Sequence, residues 1–250
     1  NYRDISEKGT EVRTGTQYTP DGSPNLSDLT FLPKAGFTGS VQIGYEGTDS
    51  RGKTFRGQIR IQVNQGSGSR YFQDMGSYAW AAPYVDLLYE AGVITGTGGQ
   101  RYRPADAVSR GDFMLMLYRA FQLTPASGAG FPDVPPGSYY AQAIQAARAA
   151  GIASGYPDGG FHPQEPVTRQ DAMVLLERTM QATGWSLGAA NTGYLSGFRD
   201  GGMVAPYAQE AMSHMIEYGI ITGTPEQKLN PIQSISRAEM AVMLARAITF

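Results

Sequence analysis

The chain has 250 residues, 41% of them hydrophobic and 17% charged, with a net charge of −2. That is enough for one or two domains with real cores, and it gives no sign of the basic face that nucleic-acid binding needs. The absence of cysteine excludes disulfides, zinc–thiolate sites and cysteine nucleophiles, and no apolar run approaches the roughly 20 residues that span a bilayer.

The start at Asn1 rather than Met reads as a fragment or mature piece, so missing targeting signals say little. Residues 1–25 hold few large apolar groups and read as an extended arm. "LTFLP" (29–33) is a short strand candidate. "VQIGYEG" (41–47) alternates Val41, Ile43 and Tyr45, and "FRGQIRIQV" (55–63) alternates Phe55, Ile59, Ile61 and Val63. Two alternating runs around the turn-rich "TDSRGK" read as a β-hairpin. Residues 1–65 are therefore expected to be a small sandwich-like β module, or the end of a larger β domain. "NQGSGSR" (64–70) has the composition of a flexible linker, with 66–70 as its core.

Beyond it the period turns helical and a repeat of roughly 60 residues appears. "FQD" (72–74), "FPD" (131–133) and "FRD" (198–200) open three units. An aromatic follows in each, Trp80, Tyr139 or Tyr207, at the head of an apolar stretch. "AGVITG" (91–96), "AGIASG" (150–155) and "YGIITG" (218–223) come next. Pro104, Pro163 and Pro231 then precede "VSRGDFM", "VTRQDAM" and "ISRAEMA". The units are delimited as 71–124, 131–182 and 198–250.

Each unit reads as helix, loop, helix. The first helix of unit 1 is expected over "AWAAPYVDLLYEA", with Trp80, Tyr84, Leu87, Leu88 and Ala91 as its inward stripe. The aromatic heads Trp80, Tyr139 and Tyr207 are expected to pack in the core. Gly92, Gly151 and Gly219 suit left-handed helix ends. The second helices carry Phe113, Met114, Leu117 and Phe121; Met173, Leu176 and Met180; and Met240, Leu244 and Ile248. A single helix pair cannot bury such a stripe alone, so the three units are expected to share a core.

The second helices start at a cap, with Ser109, Thr168 or Ser236 followed three residues on by an acid. Arg110, Arg169 and Arg237 then fall on the first helical turn, where the helix dipole disfavours a cation. Arg119, Arg178 and Arg246 lie near the other helix end, which suits them. The misplaced arginines are either tolerated by neighbouring carboxylates or serve an anion. An arginine fork beside free helix N–H groups would grip a carboxylate.

Together these markers resemble the S-layer homology (SLH) domain: an F-x-D start, an aromatic-led helix, a G-I-x-x-G turn, a "DGxFxP" loop and a "TRAE" motif. The second unit, with "GYPDGGFHP" and "TRQD", is nearest; the first, with "GTGGQRYRP" and "SRGD", departs most. The β segment more weakly resembles bacterial Ig-like or cadherin-like modules. The SLH resemblance implies a mainly α fold, a pseudo-threefold spindle with a central helical bundle. It implies non-covalent anchoring of an extracellular bacterial surface protein to secondary cell-wall polysaccharide, commonly pyruvylated, in grooves between units. It places Arg110, Arg169, Arg237, Asp74, Asp133 and Asp200 in those grooves.

Each assignment has a plainer alternative. The aspartates also suit helix caps or Asx turns. Gly96, Gly155 and Gly223 suit close approach of a ligand or mere turn geometry. Tyr102, Tyr156 and Phe161 are loop aromatics that could face sugar rings. His162 and His214 read as incidental, and no metal, cofactor or catalytic motif stands out. The competing function is a surface-layer assembly module working by protein–protein contact and self-association; a glycan-cleaving enzyme is the third reading.

Overall fold

The computed structural model describes residues 2–7, 10–11, 29–33, 39–48, 52–63, 68–128 and 130–249. The chain divides into two compact units, Asn1–Ser67 and Gly68–Phe250.

The first unit holds five described strands: β1 (Tyr2–Glu7), β2 (Thr10–Glu11), β3 (Leu29–Pro33), β4 (Gly39–Thr48) and β5 (Thr54–Val63). β4 and β5 form the expected antiparallel pair, with Val41 opposite Ile61 and Ile43 opposite Ile59. Val41 is buried and the other three are half-buried, while Gln42, Gln58 and Arg60 face out, the alternation of a one-sided sheet. The side chains of Tyr45, Phe55 and Val63, the tip of the turn (49–51) and most of the linker (64–67) lie outside the described residues. The start of the chain is not simply an arm. β1 pairs antiparallel with both β2 and β3, Ile5 standing opposite Phe31. Its own sequence carries too few apolar residues to announce a strand; pairing with β3 supplies the order.

The second unit has six described α-helices. The first helices of the repeats are α1 (Ala82–Glu90), α3 (Ala141–Ala149) and α5 (Gln209–Glu217). The second helices are α2 (Arg110–Ala120), α4 (Arg169–Ala182) and α6 (Arg237–Ile248). Each first helix packs on the second helix of the preceding repeat: α3 on α2, α5 on α4, and α1 on α6. The repeats thus interlock in a ring, and α2 touches both α4 and α6 near the middle. Phe113, Met114, Leu117, Met173, Leu176, Met180, Met240 and Leu244 are buried as expected, in one continuous core. No described helix is long and apolar enough to cross a membrane.

The three segments that precede the second helices close the ring. Val108 N–H donates to Ile235 O (3.0 Å), Ile235 N–H to Val167 O (3.1 Å) and Val167 N–H to Val108 O (2.9 Å). All three side chains are buried.

The first helix of repeat 1 corrects the expected stripe. It is shorter, and Val85 and Leu88 face inward while Leu87 is exposed. The cause is Asp86, whose carboxylate is buried because Ser69 Oγ and Arg70 N–H donate to it. A carboxylate with donors inside can occupy a core-facing position. Trp80, Tyr139 and Tyr207 are not core residues either; they are 45%, 67% and 60% exposed. Trp80 and Tyr139 stand in the turn before their helices, and Tyr207 in a 3-10 turn, Pro206–Ala208, that leads into α5.

The helix ends follow the glycines. Gly92, Gly151 and Gly219 have φ of +70°, +73° and +62°, and Val93 N–H reaches back to Leu88 O (2.9 Å) while Gly92 N–H reaches Tyr89 O (3.0 Å). This is a Schellman end. The arginines at the far end of the second helices clasp it: Arg119, Arg178 and Arg246 donate to Val93, Ile152 and Ile220 carbonyls.

The second glycines answer to packing. A Cβ on Gly155 would sit 2.6 Å from Phe131 Cε1 and 2.9 Å from Gly160 O, and its φ is +79°. Gly159 has φ +83° with nothing within 4 Å. Gly159→Ala is therefore expected to cost only the left-handed penalty, about 1–2 kcal/mol, and Gly155→Ala more, since the clash adds to it. Chemical unfolding of both variants measures the difference.

Candidate functional site

Arg110, Arg169 and Arg237 are the first residues of α2, α4 and α6. Ser109, Thr168 and Ser236 cap these helices through their side chains, which accept from Asp112, Asp171 and Glu239 N–H. The reciprocal bond of a full capping box is present at Ser236 and Glu239.

The expectation of free helix N–H groups is corrected. Arg110 N–H donates to Glu165 O (2.9 Å) and Gly111 N–H to Pro163 O (2.9 Å). In α4, Arg169 and Gln170 donate to Gln233 and Pro231; in α6, Arg237 and Ala238 donate to Asp106 and Pro104. Each helix start is capped by backbone carbonyls of a neighbouring repeat, the marker prolines among them. Only the arginine side chains remain to meet an anion there.

Those side chains also cross between repeats. Arg237 donates from Nε to Tyr102 O (2.7 Å) and from Nη2 to Thr95 O (3.2 Å), with its guanidinium 4.5 Å over the Tyr102 ring. Arg110 donates from Nε to Phe161 O (3.1 Å) and lies 4.7 Å over Tyr156 and 5.0 Å over Phe161. Cation–π contact and carbonyl acceptors hold both cations in place without neutralising them. Among the described residues neither pairs with a carboxylate. Arg169 differs: its Nη1 donates to Glu239 Oε1 (2.8 Å), and its buried Nε has no partner among the described residues. The position of Tyr102 and Phe161 is taken here by Leu229.

The F-x-D aspartates stand behind this arrangement. Asp74 accepts from Tyr102 N–H (2.9 Å) and Arg103 N–H (2.8 Å). Asp133 accepts from Phe161 and His162, and Asp200 from Leu229 and Asn230. They are neither helix caps nor Asx turns but straps across the loop. Arg103, His162 and Asn230 have φ of +55°, +59° and +51°, a costly conformation for residues with a Cβ. The strap holds this strained residue, and the proline after it presents its carbonyl to the neighbouring helix. Gly96, Gly155 and Gly223 lie against the F-x-D phenyl rings Phe72, Phe131 and Phe198.

Tyr102 and Phe161, expected to face a ligand, are fully buried; they form the floor on which the arginines rest. Tyr156, the third of these loop aromatics, is exposed, and so are the helix heads. Tyr139 OH donates to Asp112 Oδ1 (2.6 Å) and Tyr207 OH to Asp171 Oδ1 (2.7 Å). Burial, then the adjacent carboxylate, pushes each phenol up to about 12.

These residues meet in grooves. One of about 280 Å³ is lined by Thr95, Gly96, Asp112, Met116, Tyr139 and Arg237. Its turn, its acid and a second cation, Arg119, come from repeat 1, its tyrosine from repeat 2 and Arg237 from repeat 3. The equivalent set at α4 is Tyr156, Asp171, Tyr207 and Arg110; Arg110 and Asp171 both act electrostatically on the Tyr156 hydroxyl. The histidines have partners of their own: His162 bridges Asp158 and Glu165 and packs its ring 4.7 Å from that of Tyr156, and buried His214 meets Glu177. No group of three or more His, Asp or Glu among the described residues could hold a metal. Sequence reasoning missed the Tyr–Asp pairs; the aromatic recurring two residues before each first helix was the available signal.

The class this architecture defines is a closed triplet of helical repeats, and comparison with known proteins agrees. The S-layer homology domain profile matches residues 71–114, 130–173 and 197–241. The chain belongs to the S-layer homology domain family. It is 29% identical over 180 residues to the surface-layer 125 kDa protein of Lysinibacillus sphaericus, covering 71% of this chain and 14% of that protein. An endoglucanase of a Bacillus species is 28% identical over 174 residues, 70% of this chain and 18% of that protein. An S-layer protein of Bacillus thuringiensis subsp. finitimus is 24% identical over 182 residues, 72% of this chain and 21% of that protein. The chain thus spans a fifth or less of most of these relatives. Family and relatives place it at the bacterial cell surface, in an anchoring role. The Ig-like resemblance of the β segment finds no counterpart in these matches.

The straps carry a pH dependence. Burial raises the Asp74 and Asp133 carboxyls, but the paired backbone N–H donors outweigh it, so both titrate below their ordinary 3.8. A lowered folded value means the bracing is complete above the unfolded value and is lost as pH falls through the folded one. Amide exchange at Tyr102, Arg103, Phe161 and His162 is expected to keep its protection down to about pH 4 and lose it in stronger acid. Asp133→Asn should remove that acid transition at Phe161 and His162 alone.

Proposed function

We propose that the grooves bind an anionic cell-wall glycan through a carboxylate substituent of the pyruvate-ketal kind, and that this binding anchors the larger surface protein to the wall. The observation that carries the reading is the pair of groove cations, Arg110 and Arg237, that form no ion pair among the described residues. Both are braced from behind by loop carbonyls and aromatic rings, yet neither is paired with a described carboxylate. A guanidinium has five N–H donors; loop carbonyls take one at Arg110 and two at Arg237. What remains is the fork that fits a carboxylate. The neighbouring Tyr–Asp pair supplies acceptors for sugar hydroxyls and an apolar ring face for the sugar. Asp74, Asp133, Asp200 and the second glycines act behind the groove, as positioning residues. Several grooves on one unit raise avidity through effective concentration. In this reading the chain is not an enzyme: it holds the polymer without any bond breaking.

The test is retention on purified cell-wall sacculi. Lysine keeps the charge and loses the fork, so the double variant Arg110→Lys, Arg237→Lys should bind about tenfold more weakly or worse while remaining folded. Mild acid removal of ketals from the sacculi should release the unaltered protein. Undiminished retention in both experiments, together with self-association in the absence of polymer, would favour surface-layer assembly instead.

A further inference from the structure

The three grooves are built by one repeat logic, yet their arginines are not in the same state. We infer that the third groove is shut by the protein's own Glu239, which takes the place of the ligand carboxylate on Arg169, so that the triplet presents two open grooves rather than three. This rests on the reading of the arginines as carboxylate receptors.

Three differences converge on the third groove. The first is the acid. Asp112 and Asp171 are short, and each is held by a tyrosine hydroxyl, from Tyr139 and Tyr207. In repeat 3 the acid is Glu239, one methylene longer, and the aromatic head of α1, the helix packed on α6, is Trp80, which has no hydroxyl. Glu239 uses Oε2 for the cap of α6, accepting from Ser236 N–H (2.9 Å) and Ser236 Oγ (2.7 Å). Its Oε1 is left to meet Arg169 at 2.8 Å. The second difference is the floor. Leu229 replaces the aromatic, so the cation–π contact that holds Arg110 and Arg237 against their loops has no counterpart. The third is the missing brace. Arg110 Nε and Arg237 Nε donate to loop carbonyls, whereas Arg169 Nε is buried with no partner among the described residues. The side chain has been drawn off its brace toward the glutamate. The Glu239 carboxyl is held below its ordinary value: burial raises it, but Ser236 and Arg169 together outweigh that. It therefore remains charged, and the groove closed, at neutral pH.

Calorimetric titration with the 4,6-pyruvate ketal of a methyl hexopyranoside tests the inference. Two sites per chain are expected, falling to one in Arg110→Lys or Arg237→Lys and staying at two in Arg169→Met. Glu239→Gln keeps an acceptor for the α6 cap and removes the charge, so it should raise the count to three. Three sites in the unaltered protein, with one lost in Arg169→Met, would overturn the closure. A thermal double-mutant cycle on Arg169→Met and Glu239→Gln reads the ion pair without any ligand. Non-additive melting shifts are expected, and additive ones overturn the proposal. Should the ketal not bind at all, the carboxylate reading fails, and the cycle still decides whether Glu239 holds Arg169.

Discussion

Three backbone hydrogen bonds, passed around Val108, Ile235 and Val167, are the constraint on which the unit depends. No single repeat can make this ring, and no pair can close it. Once closed, it sets three helix starts around one axis at the same height. The next two N–H groups of each helix then meet carbonyls of a neighbour's loop, at Glu165 and Pro163, Gln233 and Pro231, or Asp106 and Pro104. Helix ends ordinarily leave such groups to side chains or water. Here they are the joints of the assembly. The same placement delivers each arginine across the joint onto another repeat.

That exchange explains the charge pattern of the motif. The helix dipole disfavours a cation at the first turn, but a guanidinium stacked on Tyr102 or on Tyr156 and Phe161 gains more from rings and carbonyls than it loses. The arginines at the other helix end face carbonyls and have a structural task, clasping the end of the first helix at Val93, Ile152 and Ile220. One residue type therefore serves two purposes at two ends of one helix.

Much of this was legible in the residues. The repeat, the starts of the second helices, the caps, the left-handed glycines and the inward methionines and leucines of the second helices all follow local rules, and local rules can be read one segment at a time. The failures share a cause. The stripe of α1 was misjudged because Asp86 is buried on donors from Ser69 and Arg70, at the edge of a linker. Tyr102 and Phe161 looked like loop aromatics but serve as floors for arginines 135 and 51 residues away in sequence. The straps from Asp74 and Asp133 looked like caps, because their partners lie 28 and 29 residues on. β1 was hidden for a similar reason, its order coming from β3. Contacts between distant segments have no periodicity to betray them.

The groove at Arg237 takes its parts from all three repeats: the turn and Asp112 from the first, Tyr139 from the second and the cation from the third. Heredity copies repeats as contiguous stretches of sequence, but selection on such a groove falls on a composite that no stretch contains. A change in one unit is felt in its neighbours' sites, so the units are free to diverge only in concert. The gain or loss of a single repeat would alter every site at once, which makes the closed triplet, rather than the repeat, the smallest heritable part that can be exchanged between proteins.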